Sequence, residues 1–376
     1  MILRVPIAVP SLCGKELEYI MDCVTSSWIS SKGKYVAAFE EKFSEYLGAK
    51  YGVAVSNGTV ALHLALATLG IGPQDEVIIP TFTMIAAANA VRYMGAKIVL
   101  ADSELRTWNI DPNKIEKKIT GRTKAIMVVH LYGHPANMDL IIKIARDHNL
   151  YVIEDAAEAH GAEYKGRKVG AIGDIGCFSF YANKIITTGE GGMLVTNDEE
   201  LAERARRLRD QAYDMNRRKW LIHTGIGYNY RMTNMQAAIG LAQLERIEIF
   251  IKTHRENAKL YNSLLKDIPG ITLPPEEPWA KNVYWMYTIL IDKDYFGISR
   301  DDLMRELEKY GVDTRAVFYP IHLQPPYREM FKGERYPIAE YLSERGVNLP
   351  SGNTLTKEQV EYVANAIKSI REKHKA

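Results

Sequence analysis

Cysteine is scarce, with Cys13, Cys23 and Cys177 the only three among 376 residues. An odd number at these spacings gives neither a disulfide framework nor a metal-ligand set, so no metal is expected and a reducing cytoplasm is the expected setting. Net charge is nearly absent too. The 48 Lys and Arg against 46 Asp and Glu leave +2, so neither a nucleic acid nor a membrane surface is expected as a partner. A small anionic ligand needs only a local site. No apolar run approaches the roughly 18 residues that span a bilayer, and Met1 to Pro10 lacks the core and cleavage site of a leader. A soluble, unprocessed chain is expected. Repeats and low-complexity tracts are also missing, which excludes solenoids and disorder.

What is present, 47% hydrophobic and 25% charged side chains, is the composition of a folded chain large enough for an enzyme domain and a smaller companion. Short apolar runs alternate with helix-period segments from Tyr51 to Thr196, the rhythm of a mostly parallel sheet covered on both faces. The strands predicted are Gly52 to Val55, Glu76 to Ile79, Lys97 to Ala101, Lys124 to His130, Tyr151 to Glu154, Gly176 to Phe180 and Met193 to Thr196. Val60 to Leu69, Ile85 to Tyr93 and Asp139 to Asn149 are predicted helices between them. Lys15 to Val24 and Val36 to Leu47 precede the sheet as amphipathic helices, and Phe39, Phe43, Tyr46 and Leu47 share a face that reads as core. Leu201 to Leu208 and a long Asn234 to Leu264 pattern follow it. The fold class is α/β, with a large domain over 1–250 and a small α+β domain over 251–376. Pro269 to Pro278 reads as a linker. Beyond it, Tyr287 to Ile291 and Val312 to Ala316 read as strands, and Arg300 to Tyr310, Ile338 to Glu344 and Lys357 to Lys373 as helices, with Ser299 capping the first.

Ser56-Asn57-Gly58-Thr59 lies between a predicted strand and helix, so the Gly58 and Thr59 amides would face an anion from a helix N-terminus. The same string also serves as an ordinary capped turn. A dinucleotide site is disfavoured, because no GxGxxG follows any predicted strand. Tyr151 to Asp155 is an apolar strand that ends in two carboxylates, and Asp155 would lie where ligands of open α/β sheets bind. A carboxylate there calls for a cation such as a protonated pyridine nitrogen; alternatively it caps the next segment. His160 offers proton transfer or ring support, although a lone His is more often structural. Phe178 to Lys184 closes another strand and delivers one lysine, the side chain that condenses with aldehydes when its amine can lose a proton. Phosphate turn, carboxylate and amine together point to one site at one edge of the sheet.

These strings resemble the DegT/DnrJ/EryC1/StrS aminotransferases, pyridoxal-phosphate enzymes of fold type I that act on nucleotide-linked keto sugars. The resemblance covers nearly the whole chain. It is carried by Trp28-Ile29-Ser30-Ser31-Lys32-Gly33, Ser56 to Thr59, Glu154 to Ala162, Phe178-Ser179-Phe180, Lys184, Thr188 to Gly192 and Gly227 to Met232. Glu158, Tyr319 to Tyr327 and Asn234 to Glu245 resemble the branch that aminates the C4 ketone of GDP-4-keto-6-deoxy-D-mannose with L-glutamate.

The resemblance implies that Lys184 bonds the aldehyde of pyridoxal phosphate, which cycles with pyridoxamine phosphate, and that Asp155 pairs with the ring nitrogen. It implies that Gly58, Thr59 and Ser179 hold the phosphate, with Asn229 reaching it from the partner of a homodimer with shared active sites. Glu158 would lie beside the cofactor's phenolic oxygen, where many relatives have Gln. Met84 would pack on the ring, where many have an aromatic side chain. Trp28, Ser30, Lys32, Tyr319 and His322 are expected near the sugar nucleotide, and Lys32, Arg231 and Arg315 near its diphosphate or the glutamate carboxylate. The alternatives are an aminotransferase for a dTDP- or UDP-linked keto sugar, or a non-catalytic regulator that binds the cofactor.

Overall fold

The computed structural model describes residues 4–214 and 221–374. All seven expected strands form one sheet: β1 (Tyr51–Val55), β2 (Glu76–Pro80), β3 (Lys97–Ala101), β4 (Thr123–Val129), β5 (Tyr151–Asp155), β6 (Ile175–Ser179) and β7 (Gly192–Thr196). Their order is β1-β7-β6-β5-β4-β2-β3. Pairs within β6-β5-β4-β2-β3 are parallel, and β7 runs antiparallel to both β6 and β1. Helices cover both faces, so central strands are apolar without alternation: Val77, Ile78 and Ile79, like Ile126, Met127 and Val128, are wholly buried. Phe39, Phe43 and Leu47 of the helix Lys34–Leu47 are core, as their shared face implies. The parallel register brings Val129 beside Asp155 and Asp155 beside Cys177, which aligns the carboxyl ends of the strands along one edge.

The Asn234 to Leu264 pattern resolves into two helices, Asn234–Leu244 and Ile247–Leu265. Thr233 opens the first with a reciprocal cap to Gln236. The second runs through residue 250, the expected domain boundary. Its Phe250 and Ile251 join the large-sheet core, whereas Ala258, Tyr261 and Leu265 join a second hydrophobic cluster.

That second cluster lies under a four-stranded antiparallel sheet of β8 (Ile271–Thr272), β9 (Tyr287–Ile291), β10 (Arg315–Ala316) and β11 (Gly346–Leu349), in the order β8-β9-β11-β10. Ser299 caps the helix Arg300–Lys309 by accepting the Asp302 amide at 3.2 Å. The expected strand from Val312 shortens to β10, because Val312 bridges Val5 instead. Pro269 to Pro278 is not a free linker. Ile271 and Thr272 are strand residues, Glu276 pairs with Arg255 at 2.5 Å and Glu277 pairs with Arg106. The segment after β10 is fastened to the large sheet, with the Ile321 amide donating to the Thr81 carbonyl at 2.8 Å.

Candidate active site

A cavity of about 540 Å³ opens at the carboxyl edge of the sheet, and its wall includes Gly58, Thr59, Met84, Asp155, Glu158, Ser179 and Lys184. Such a volume suits a cofactor-sized ligand. The helix Gly58–Thr68 points its N-terminus into this wall, and Asn57 caps it by accepting the Val60 amide at 3.0 Å. The earliest amides of a helix have no partner within it, so those of Gly58 and Thr59 are available to an anion. A Cβ on Gly58 would stand 2.7 Å from the Ser179 Cβ, so only glycine lets the hydroxyl-bearing end of β6 approach the helix start.

Glu154 and Asp155 are consecutive, so they point to opposite faces of β5. Glu154 is fully buried and accepts from the His130 ring at 2.9 Å and from the amides of Gly170, Ile172 and Gly173 at 2.7, 2.7 and 2.6 Å. Burial opposes its ionisation, yet these donors hold the carboxyl below its usual range. It is a structural carboxylate. Asp155 is also buried but accepts only from the Ala157 amide, at 3.1 Å, among its described partners, and burial pushes its pKa up while that amide and nearby Lys184 pull it down. A buried acid with so little compensation fits a cationic ring nitrogen as its partner.

Lys184 extends into the cavity, its Nζ 3.7 Å from the centroid of the Trp285 ring. Burial lowers the pKa of its amine, Glu158 and Asp155 raise it, and Arg315 lowers it; the net shift is downward. Glu158 accepts the Tyr132 amide at 2.7 Å, and burial carries its carboxyl up to about 7. Tyr132 is left-handed, at φ +53°, which turns its amide toward Glu158 at a site where an ordinary residue is strained. The donor set matches a phosphorylated pyridine aldehyde: a helix start for the phosphate, a carboxylate for the ring nitrogen and an amine for the aldehyde.

Other expected site residues lie elsewhere. His160 is fully buried among Phe43, Phe178 and Phe180 and is not on the cavity wall; the Ser179 backbone beside its ring is too poorly aligned for a full hydrogen bond and only partly offsets burial. Burial lowers its pKa to about 3, so it is a neutral packing residue rather than a proton carrier. The unfolded chain takes this proton near pH 6.5, so the native state loses stability as pH falls from there toward 3. His160→Phe should remove that loss and gain about 2 kcal/mol on the wild type between pH 7.5 and pH 5, read by thermal denaturation. An equal difference at both pH values would contradict this placement.

His322 is not on the cavity wall; its ring meets the Thr81 hydroxyl at 2.8 Å and the Glu340 carboxylate at 3.2 Å. It fastens the loop that carries Phe318 to the end of β2. Tyr319 is 52% exposed and lies outside the wall, which takes Phe318 instead. Arg231 pairs with Asp210, and Lys32 shares a small separate hollow with both. Asn229, exposed, bridges Asp210 on the same edge. The carbonyls of Trp28 and Ser30 accept from the Asn234 side chain and amide, at 2.6 and 2.5 Å.

Arg315 does line the cavity. Trp285, Asn183 and Glu190 also line it, and strand-end reasoning misses them, as it misses Tyr132, whose amide holds Glu158. An aromatic pair just ahead of β9, Tyr284-Trp285, was the available signal. Among the described residues no three His, Cys, Asp or Glu gather as a metal set, and no helix is long and apolar enough to cross a membrane.

Known proteins of similar sequence and fold exist. The model of the DegT/DnrJ/EryC1/StrS aminotransferase family matches residues 10–368. A GDP-perosamine synthase of Escherichia coli O157:H7 is 49% identical over 363 residues, covering 96% of this chain and 97% of that protein. Another, from Caulobacter vibrioides, is 46% identical over 368 residues and covers 98% of each. Among solved structures, DesV of S. venezuelae superposes with a TM-score of 0.92 at 36% identity, covering 98% of this chain and 99% of that one.

Proposed function

The chain belongs to the DegT/DnrJ/EryC1/StrS aminotransferase family, and from that membership we propose that it moves the amino group of L-glutamate to the C4 ketone of GDP-4-keto-6-deoxy-D-mannose, giving GDP-perosamine. It is a pyridoxal-phosphate-dependent sugar aminotransferase. The observation that carries the reading is Lys184 and Asp155 on the wall of one cavity, with the Gly58 helix start beside them.

Pyridoxal phosphate, when bound, supplies an electron sink for the broken Cα–H bond of the donor and carries its nitrogen as the pyridoxamine form. The Gly58 and Thr59 amides and the Ser179 hydroxyl would hold its phosphate. Asp155 would keep the ring nitrogen protonated, and Met84 would lie on a ring face. Burial keeps the Lys184 amine ready to shed its proton. Nζ would move the proton of glutamate Cα to the cofactor's C4′ and, in the return half, move one from C4′ to the sugar's C4. Glu158, with a pKa near 7, holds or releases a proton beside it. Arg315 is the cation of the wall suited to a carboxylate or phosphate.

The same reading makes the enzyme a homodimer with shared sites. Asn229 is exposed and outside its own cavity, and the edge it shares with Lys32 and Arg231 would complete the partner's site. Retention of both Lys184 and Asp155 argues against a non-catalytic regulator. The test is an assay with glutamate and GDP-, dTDP- and UDP-linked keto sugars, following 2-oxoglutarate and the amino sugar. We expect kcat/KM for the GDP sugar to lead by at least about 100-fold, well within what hydrogen-bonded recognition of a base can provide. Equal or reversed preference would favour another nucleotide.

A further inference from the structure

Trp285 is 3% exposed and stands two residues ahead of β9. Its indole N–H donates to the Asn183 carbonyl at 2.7 Å, directly before Lys184 in the chain. Its ring face receives the Lys184 Nζ at 3.7 Å from the centroid. The Tyr132 ring lies nearly parallel to it, at 19° and 6.4 Å, and Tyr132 stacks on Phe318 at 8° and 5.3 Å. The backbone is docked as tightly as the ring. Val283 donates to the Gly133 carbonyl at 3.2 Å, and a Cβ on Gly133, at φ +101°, would stand 2.9 Å from the Tyr284 nitrogen. Trp285 is thus held from three directions, and one face is presented to the amine.

An amine that takes a proton and returns it must be tolerable in both charge states. Burial makes the cavity hostile to charge and Arg315 adds to that, while Glu158 and Asp155 favour the ammonium only in part, so it needs further compensation that leaves its hydrogen-bond donors free. An aromatic face provides this, because the ring quadrupole attracts the cation without competing for its hydrogen-bond donors.

We propose that Trp285 seats the Lys184 amine whenever it is not bonded to the cofactor, its ring holding the ammonium form in the cavity and its N–H clamping the loop through Asn183. The proposal rests on Lys184 as the amine that bears the cofactor, and it makes Trp285 a positioning residue for proton transfer.

The test compares wild type, Trp285→Phe and Trp285→Leu as full-length protein stripped of cofactor and mixed with pyridoxal phosphate across a pH series. Capture, in which the amine adds to the aldehyde and one water leaves, is followed by the visible band. In Trp285→Leu the pH midpoint of capture should fall by about one unit, because the ammonium loses its ring. Its kcat should drop about 30-fold, with KM for glutamate and for the sugar each changed less than about threefold. Trp285→Phe keeps a weaker ring and should lie between wild type and Leu in both readouts. A wild-type protein that captures no aldehyde would overturn the reading of Lys184 and this proposal with it. Capture with an unaltered midpoint and near-wild-type kcat in both variants would overturn the role of Trp285 alone, as would a Phe variant as impaired as Leu.

Discussion

Lys184→Ala should lower kcat by at least about 10⁴-fold, because the amine that both bonds the cofactor and moves the proton has no substitute. Asp155 and Glu158 share the cavity, but each is a carboxyl whose pKa burial raises, and neither can condense with an aldehyde. The phosphate cradle does not depend on the lysine. It is built by the Asn57 cap, the Gly58 helix start and the Ser179 end of β6. The variant should therefore still bind pyridoxal phosphate, with the spectrum of a free aldehyde, while losing turnover. Steady-state assays beside an absorbance titration check both halves. Activity within about 100-fold of wild type would refute the assignment of this lysine.

Asp155→Asn should lower kcat roughly 150- to 5,000-fold, the range expected when a buried charge is left without its partner at a cost of about 3–5 kcal/mol. The amide keeps the shape and can still accept from the Ala157 amide, so the backbone at the end of β5 should stand. What disappears is the negative charge that keeps a pyridine nitrogen protonated. The same substitution should act oppositely on the cofactor-free protein. Burial raises the folded pKa of Asp155, so the wild type is relatively favoured at low pH and loses that advantage as pH rises through the raised value. Asp155→Asn, which does not ionise, should thus gain in Tm on wild type as pH rises from 4 to 8. A residue kept for stability would show the reverse. Thermal denaturation and kcat on the same samples separate these cases.

The strand ends were legible in the sequence because a sheet covered on both faces needs unbroken apolar runs, and the residues just past each parallel run must lie at one edge. That logic brings Gly58, Asp155, Ser179 and Lys184 together although more than 120 residues separate the first from the last. It fails where the contribution comes from a fastened loop. Tyr132 has no sequence mark for its left-handed backbone, since Asn109 holds the turn by accepting the Leu131 amide at 2.9 Å. Trp285 arrives by docking on that turn. His322 has the polar surroundings of a ligand contact, yet one nitrogen meets Thr81, just past β2, and the other meets Glu340 of the helix Pro337–Arg345. The break after Leu244 lies at Glu245-Arg246, without Gly or Pro, so periodicity alone runs through it. β11 is four residues long and too short to declare a pattern.

The most direct measurement is borohydride reduction of the protein loaded with pyridoxal phosphate, then proteolysis and mass mapping of the modified peptide. The pyridoxyl group should be found on Lys184, with the visible band lost as it becomes fixed there. A stable adduct on a different lysine, or a bound cofactor that reduction leaves unattached to the chain, would contradict the site described.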